Sequence, residues 1–133
     1  MTSPSELEPR ISELLSAGRL RDAAQIISDQ IAESGEAAWL WNDWAMVQFV
    51  AGEFSDAERA LRRARALEPE SGPCLENLGA LLFALDRKSE ALPYLRSALT
   101  SAQGPQLDTL RRLIASCAPL PPPPAPPLEP RRV

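Results

Sequence analysis

Residues 41–69 read WNDWAMVQFVAGEFSDAERALRRARALEP, and residues 75–103 read LENLGALLFALDRKSEALPYLRSALTSAQ. Laid over one another at a shift of thirty-four, Trp41 falls on Leu75, Trp44 on Leu78, Ala45 on Gly79, Ala57 on Ala91, Leu61 on Leu95 and Ala64 on Ala98. The same shift carries the pattern backwards. Leu7 meets Trp41, Ile11 meets Ala45, Leu14 meets Gln48, Gly18 meets Gly52, Ala23 meets Ala57 and Ile27 meets Leu61. The large apolar positions recur at three- and four-residue spacing, the mark of helices that bury one stripe. Gly52 and the stretch Asp86–Lys88 break each unit where a first helix must stop. Ala45, Gly79, Ala57 and Ala91 are small positions where two antiparallel helices can approach closely. A helix-turn-helix unit of this period cannot cover its own apolar face, so the units must stack.

Seven helices are expected, near residues 9–17, 20–34, 37–51, 54–67, 73–85, 88–102 and 106–117. Pro9 is expected to interrupt the first helix of the first unit, where Arg10 stands at the position of Trp44 and Leu78. Ser71 and Pro73 form a helix start, because a proline in the first turn gives up no needed hydrogen bond. Pro93 lies near the beginning of its helix and predicts at most a slight kink. In the last segment Leu107, Leu110, Leu113, Ile114 and Cys117 form one stripe, with Asp108, Arg111 and Arg112 turned to water. Such a helix seals the open end of a stack.

The period, together with the series Trp41, Trp44, Ala45, Gly52, Ala57, Leu61, Ala64 and Pro69 and its counterpart Leu75, Leu78, Gly79, Leu82, Ala91, Leu95 and Ala98, resembles the tetratricopeptide repeat, over roughly residues 4–105. The expected fold class is all-α: an α-solenoid of three such units, near 4–37, 38–71 and 72–105, plus a capping helix at 106–117. Together these form a domain of residues 1–118. Eight of the fourteen prolines lie between Pro119 and Pro130, so residues 119–133 read as an extended polyproline II tail or linker.

Composition narrows the function. The chain has 133 residues, no histidine, two cysteines and a net charge of -4. The absence of histidine removes every Ser-His, Cys-His and His-metal arrangement. Cys74 and Cys117 sit in separate helix-like stretches and read as small core hydrophobes. Glu53, Asp56 and Glu58 straddle a turn and read as a solvated surface, not an acid/base pair. No phosphate-binding glycine loop and no metal-ligand spacing occurs. A non-enzymatic module without a cofactor or metal is expected. The N-terminus lacks an apolar leader and no window suits a membrane span, which predicts a cytoplasmic protein that does not insert in membranes. Alanine- and arginine-rich composition with one lysine suggests a bacterial gene. Arg59, Arg62, Arg63 and Arg65 occupy one helix, but Glu58 and Glu68 flank them. They read as a charged outer face with Glu–Arg pairing, so nucleic acid is not an expected partner.

The resemblance implies that the first helices line a concave groove. By register its floor is Trp39, Asn42, Asp43, Met46, Phe49 and Val50 from the middle unit and Glu76, Asn77, Ala80 and Phe83 from the third, with Ala84, Leu15 and Ser16 extending the row. Amides there would hold a peptide backbone, and the aromatic and aliphatic side chains would accept apolar ones. Members of the family that grip the carboxyl termini of heat-shock chaperones use lysine, arginine and asparagine along this groove. The third unit instead offers Pro73, Glu76 and Asn77, so that clamp is not expected. The leading function is a scaffold or adaptor that binds another protein or peptide segment in the groove. The alternatives are an N-terminal accessory module of a glycosyl- or methyltransferase-type enzyme, or a small secretion chaperone. The tail is expected first as a solvated spacer, with contact in the groove, within one chain or as self-association between neighbours, as the lesser alternative, since aromatic surfaces accept proline-rich strands.

Overall fold

The computed structural model describes residues 4–117, 123–128 and Pro130. Among these, seven helices and no strands form: α1 (Pro4–Ser16), α2 (Leu20–Ser34), α3 (Ala38–Val50), α4 (Phe54–Leu67), α5 (Gly72–Ala84), α6 (Lys88–Ala98) and α7 (Pro105–Cys117). Helices α3 and α4 pair closely, as do α5 and α6, and α7 packs on α6 and α5. The chain is an all-α, solenoid-like stack of hairpins.

Each hairpin turns by the same device. Gly18 (φ 75°), Gly52 (φ 82°) and Asp86 (φ 61°) adopt left-handed backbone at equivalent repeat positions. In each turn that residue donates its N–H three residues back, to Leu15, Phe49 or Phe83. The next residue donates five back, from Arg19 to Leu14, Glu53 to Gln48 and Arg87 to Leu82, each at 2.8 Å. This paired arrangement satisfies carbonyls that a helix end leaves orphaned. Glycine takes the conformation without steric cost, and aspartate is among the few other residues that tolerate it.

Small residues set the helix separation. A Cβ added at Gly79 would stand 2.6 Å from Leu95 Cδ2 and 3.3 Å from the Leu95 backbone nitrogen, so α5 and α6 touch almost backbone to side chain there. Ala45, Ala57 and Ala91 are fully buried at the equivalent crossings. Around them one core gathers Leu61, Leu75, Leu78, Leu82, Leu95 and Leu110, and a second gathers Leu7, Ile11, Ala23, Ile27, Leu40 and Val47. Trp44 packs against both, joining the first hairpin to the rest.

Two expected boundaries are corrected. Pro9 does not delay the first helix: α1 begins at Pro4 and carries Pro9 inside it. Proline there forfeits a hydrogen bond to the residue-5 carbonyl, one turn from the helix start, while Leu7 and Ile11 on either side remain buried. Helix α6 stops at Ala98 instead of running to residue 102. Beyond it Thr100, Ser101 and Ala102 each donate three residues back, to Ser97, Ala98 and Leu99, in a tightened turn. Ser71 caps α5 as expected, accepting from the Cys74 N–H, with Pro73 in the first turn. The tail expected over Pro119–Pro130 lies partly outside the described residues. Residues 123–128 have no regular secondary structure and are exposed, Leu128 completely so.

Candidate interaction surface

Helices α1, α3, α5 and α7 touch in sequence, whereas the backbones of α2, α4 and α6 stand apart. Long side chains span the gaps instead: Arg62 of α4 donates to the Tyr94 hydroxyl of α6 at 3.3 Å, and the Arg65 guanidinium lies 5.2 Å from the Tyr94 ring centroid. First helices crowded together and second helices splayed apart make the first-helix row the inner layer.

On that layer a cleft of about 130 Å³ opens between α3 and α5, lined by Ala45, Met46, Phe49, Ala57, Leu61, Asn77, Ala80 and Leu81. Its depth follows from the small residues Ala45, Ala57 and Ala80, which hold the helices close but leave room above them. Met46 and Phe49, which line it, are exposed by 37% and 40%, and Val50, next to Phe49 on α3, by 50%. These are unusual values for side chains that would gain by burial. Phe54, at the start of α4, meets Phe49 edge to face at 5.5 Å and is itself 42% exposed. Phe54 was not among the residues expected from register. The signal that would have found it is its position two residues after Gly52, directly across the turn from Phe49.

The other expected groove residues divide. Asn77 donates its side-chain amide to the Asn42 carbonyl oxygen at 2.9 Å, tying α5 to α3 along the cleft. Trp39 is half-buried against the N-terminal core, so it packs between units more than it faces solvent. Phe83 packs partly against the C-terminal core while the Lys88 ammonium lies 5.4 Å from its ring centroid. The Glu76 carboxylate accepts from the Gln106 amide of α7. Asp43 is half-buried with one carboxyl oxygen sealed from solvent and without a hydrogen-bond partner. Burial, and secondarily the nearby Glu8 carboxylate, push its pKa up to about 7. Met46, Phe49, Asn77 and Ala80 therefore come together at one cleft, and Asn42 is bonded to Asn77 beside it, whereas neither Val50 nor Asp43 lines it.

Arg59 and Arg62 of the arginine helix pair with acids of the same helix, as the sequence suggested, whereas Arg63 pairs across the stack. Arg59 contacts Asp56 at 2.6 Å, Arg62 contacts Glu58 at 2.9 Å and Arg63 contacts Glu36 of the loop before α3 at 2.5 Å. Glu58 also receives Arg87 at 2.5 Å, linking α4 to the α5–α6 turn, and these guanidinium bonds hold its carboxyl below the usual range, Arg87 first. A second, wider cleft of about 540 Å³ lies beside this helix, floored by Trp41 and Trp44 and edged by Glu36, Asp56, Arg59 and Arg63. Its charges largely answer one another. Among the described residues no group of three or more His, Cys, Asp or Glu could hold a metal ion, and no helix is long and apolar enough to cross a membrane. Cys74 and Cys117 are buried and free.

Stacked hairpins with close small-residue crossings and an inner row of first helices define a tetratricopeptide-repeat-type fold. Among the solved structures similar to it are two domains of human RPAP3. Its second tetratricopeptide domain, determined in complex with the HSP70 peptide SGPTIEEVD, superposes with a TM-score of 0.68 at 18% identity, covering 84% of this chain and 91% of that one. Its first such domain gives 0.69 at 20% identity with the same coverage. No family model matches the sequence. Among curated proteins, the probable biofilm formation methyltransferase WspC of Pseudomonas aeruginosa is 32% identical over 84 residues, which is 63% of this chain and 20% of that protein. The chain thus spans about a fifth of the length of the curated relative it matches.

Proposed function

We propose that this chain is a protein-interaction module that holds a segment of another protein on the inner face of its hairpin stack. The observation that carries the reading is the cleft between α3 and α5, with Met46 and Phe49 of its lining left exposed. Binding of an apolar side chain there would remove these two from water, at about 25 cal/mol per Å² of apolar surface covered. The bridged amides of Asn42 and Asn77 sit beside it, with donors and acceptors left over for a peptide backbone. The RPAP3 domain determined with an HSP70 peptide shows that a fold of this type can hold a peptide. A bacterial, cytoplasmic setting is part of the proposal, supported by the bacterial source of the methyltransferase match and by the two free thiols. Phe49→Ser and Met46→Ser should leave the helical circular dichroism unchanged, because both side chains are exposed, and should abolish capture of the partner from a lysate. Capture by both variants equal to that of the parent would move the binding surface elsewhere.

A second reading has one observation in its favour. The match to a methyltransferase of which this chain spans about a fifth fits an accessory module of such an enzyme, positioning its protein acceptor. Under that reading, native material isolated with an antibody to this chain transfers methyl groups from S-adenosylmethionine to protein. Isolation of a polypeptide without that activity, in a complex without it, would rule it out.

A further inference from the structure

Leu128 is wholly exposed, more so than any other large apolar side chain among the described residues. The rest keep half or more of their surface covered. A leucine left in water is one that gains by burial. The five residues before it, 123–127, are exposed as well and without regular secondary structure.

Residues 123–128 read Pro-Pro-Ala-Pro-Pro-Leu. A pyrrolidine ring fixes its own φ near about −65°, and it pushes the residue before it out of the helical region. Pro123, Ala125 and Pro126 each precede a proline, so covalent geometry alone favours a polyproline II backbone here. That helix has three residues per turn and rises about 3.1 Å per residue. Pro123 and Pro126 then share one edge, Pro124 and Pro127 the next, and Ala125 and Leu128 the third. The two Pro-Pro pairs present their rings to one side about 9 Å apart, with Leu128 beside the second pair. Four of the six residues lack an N–H, so the backbone of the segment accepts hydrogen bonds far more than it donates them.

We propose that residues 123–128 are a recognition segment that docks in a groove on another protein, one with two aromatic-walled pockets about 9 Å apart and hydrogen-bond donors between them. Indole and phenol side chains supply both the apolar walls and the donors. One pocket takes Pro123 and Pro124, the other Pro126 and Pro127, and Leu128 is covered at the end of the groove. Docking orders little that is not already ordered, because the backbone is stiff before it binds. A spacer needs that stiffness but has no use for a bare leucine. Such docking is independent of the inner cleft, and it makes the chain a ligand at one end as well as a receptor along the stack.

Titration of the isotope-labelled full chain, followed by its backbone amide NMR signals, tests this with three purified probes: an SH3 domain, a WW domain and an EVH1 domain, each of which receives proline-rich segments in an aromatic-lined groove. The amides of Ala125 and Leu128 report on the segment directly, since the prolines have none. With at least one probe these two signals should move and saturate below about 1 mM probe, while the signals of the seven helices stay in place. Pro124→Ala combined with Pro127→Ala should weaken that binding at least about tenfold, and Leu128→Ser about threefold. None of these side chains belongs to the helical stack, and unchanged helical circular dichroism will show that the variants fold. Ala125 and Leu128 signals unmoved by all three probes would overturn the proposal. So would binding that the double proline variant leaves intact, or shifts confined to the inner face at Met46, Phe49 and Asn77.

Discussion

At Asp43 a single carboxyl couples the fold to pH. In the unfolded chain it would ionise near its ordinary 3.8, whereas in the fold it is held at about 7. The folded state therefore binds the proton more tightly. Below pH 4 the group is protonated in both states and costs nothing. Between pH 4 and 7 the unfolded chain releases its proton first, so the stability contributed by the protonated native form is lost progressively, and above 7 the loss is complete. A shift of this size corresponds to about 4 kcal/mol for full burial, but Asp43 is only partly buried, and solvent screening reduces it to about 1 to 2 kcal/mol. Asp43→Asn should thus raise stability at pH 8 by about that amount, with the gain shrinking to nothing by pH 4. Urea unfolding across that range measures it, and a gain that persists at pH 4 would locate the effect in packing instead. Glu36 and Glu58 act in the opposite sense. Their arginine partners depress both carboxyls, so the stability they contribute is present above their ordinary 4.5 and lost as pH falls below it.

Among the elements, the hairpin crossings set the limit on sequence change. Ala57 and Ala91 have no exposed surface to speak of and stand at equivalent positions in α4 and α6, each against the first helix of its unit. A leucine at either site adds three carbons at a fully buried crossing, so the helices must separate or the side chain must leave its preferred rotamer. The cost should be about 1 to 3 kcal/mol for each substitution, read as a lowered midpoint in urea. Unchanged midpoints for both would mean the crossings are looser than the Gly79–Leu95 approach indicates. The register of the small positions and the left-handed turn at residues 18, 52 and 86 were legible in the repeat itself, since identical spacing imposes identical geometry. The start of α1 was not. Proline was expected to delay the helix, yet burial of Leu7 and Ile11 against Ile27 outweighs one missing hydrogen bond. No local rule of sequence carries that comparison.

For the molecule as a whole, the tail and the inner face are the parts whose relation matters. Residues 123–128 are exposed and without regular secondary structure, with Leu128 wholly in water. A proline-rich strand of this kind is stiff and solvated without needing a partner. Truncation after residue 118 is therefore expected to leave both the light-scattering mass and the tryptophan emission unchanged. A change in either would place the tail against Trp39, Trp41 or Trp44, or between copies of the chain.

The sequence by itself determined the all-α repeat, the positions of its turns, the close helix crossings and the pairing of Arg62 with Glu58 one turn before it. All of these follow from periods and short-range spacing, which a linear chain records directly. It also placed Met46, Phe49, Asn77 and Ala80 in one groove row with Trp39, Asn42, Asp43, Val50, Glu76 and Phe83, because register sets all of these on the unused side of the first helices, but nothing in the sequence separated the four that line the cleft from the rest. Only the tertiary structure decided that Trp39 and Phe83 turn largely into packing, that Asn42 and Asn77 bond across thirty-five residues, and that Glu8 stands against Asp43. The physical reason is that exposure and charge at each position depend on how far adjacent units rotate against one another. That rotation is set by the summed packing of Trp44 with both cores, a quantity distributed over the stack that no single repeat encodes.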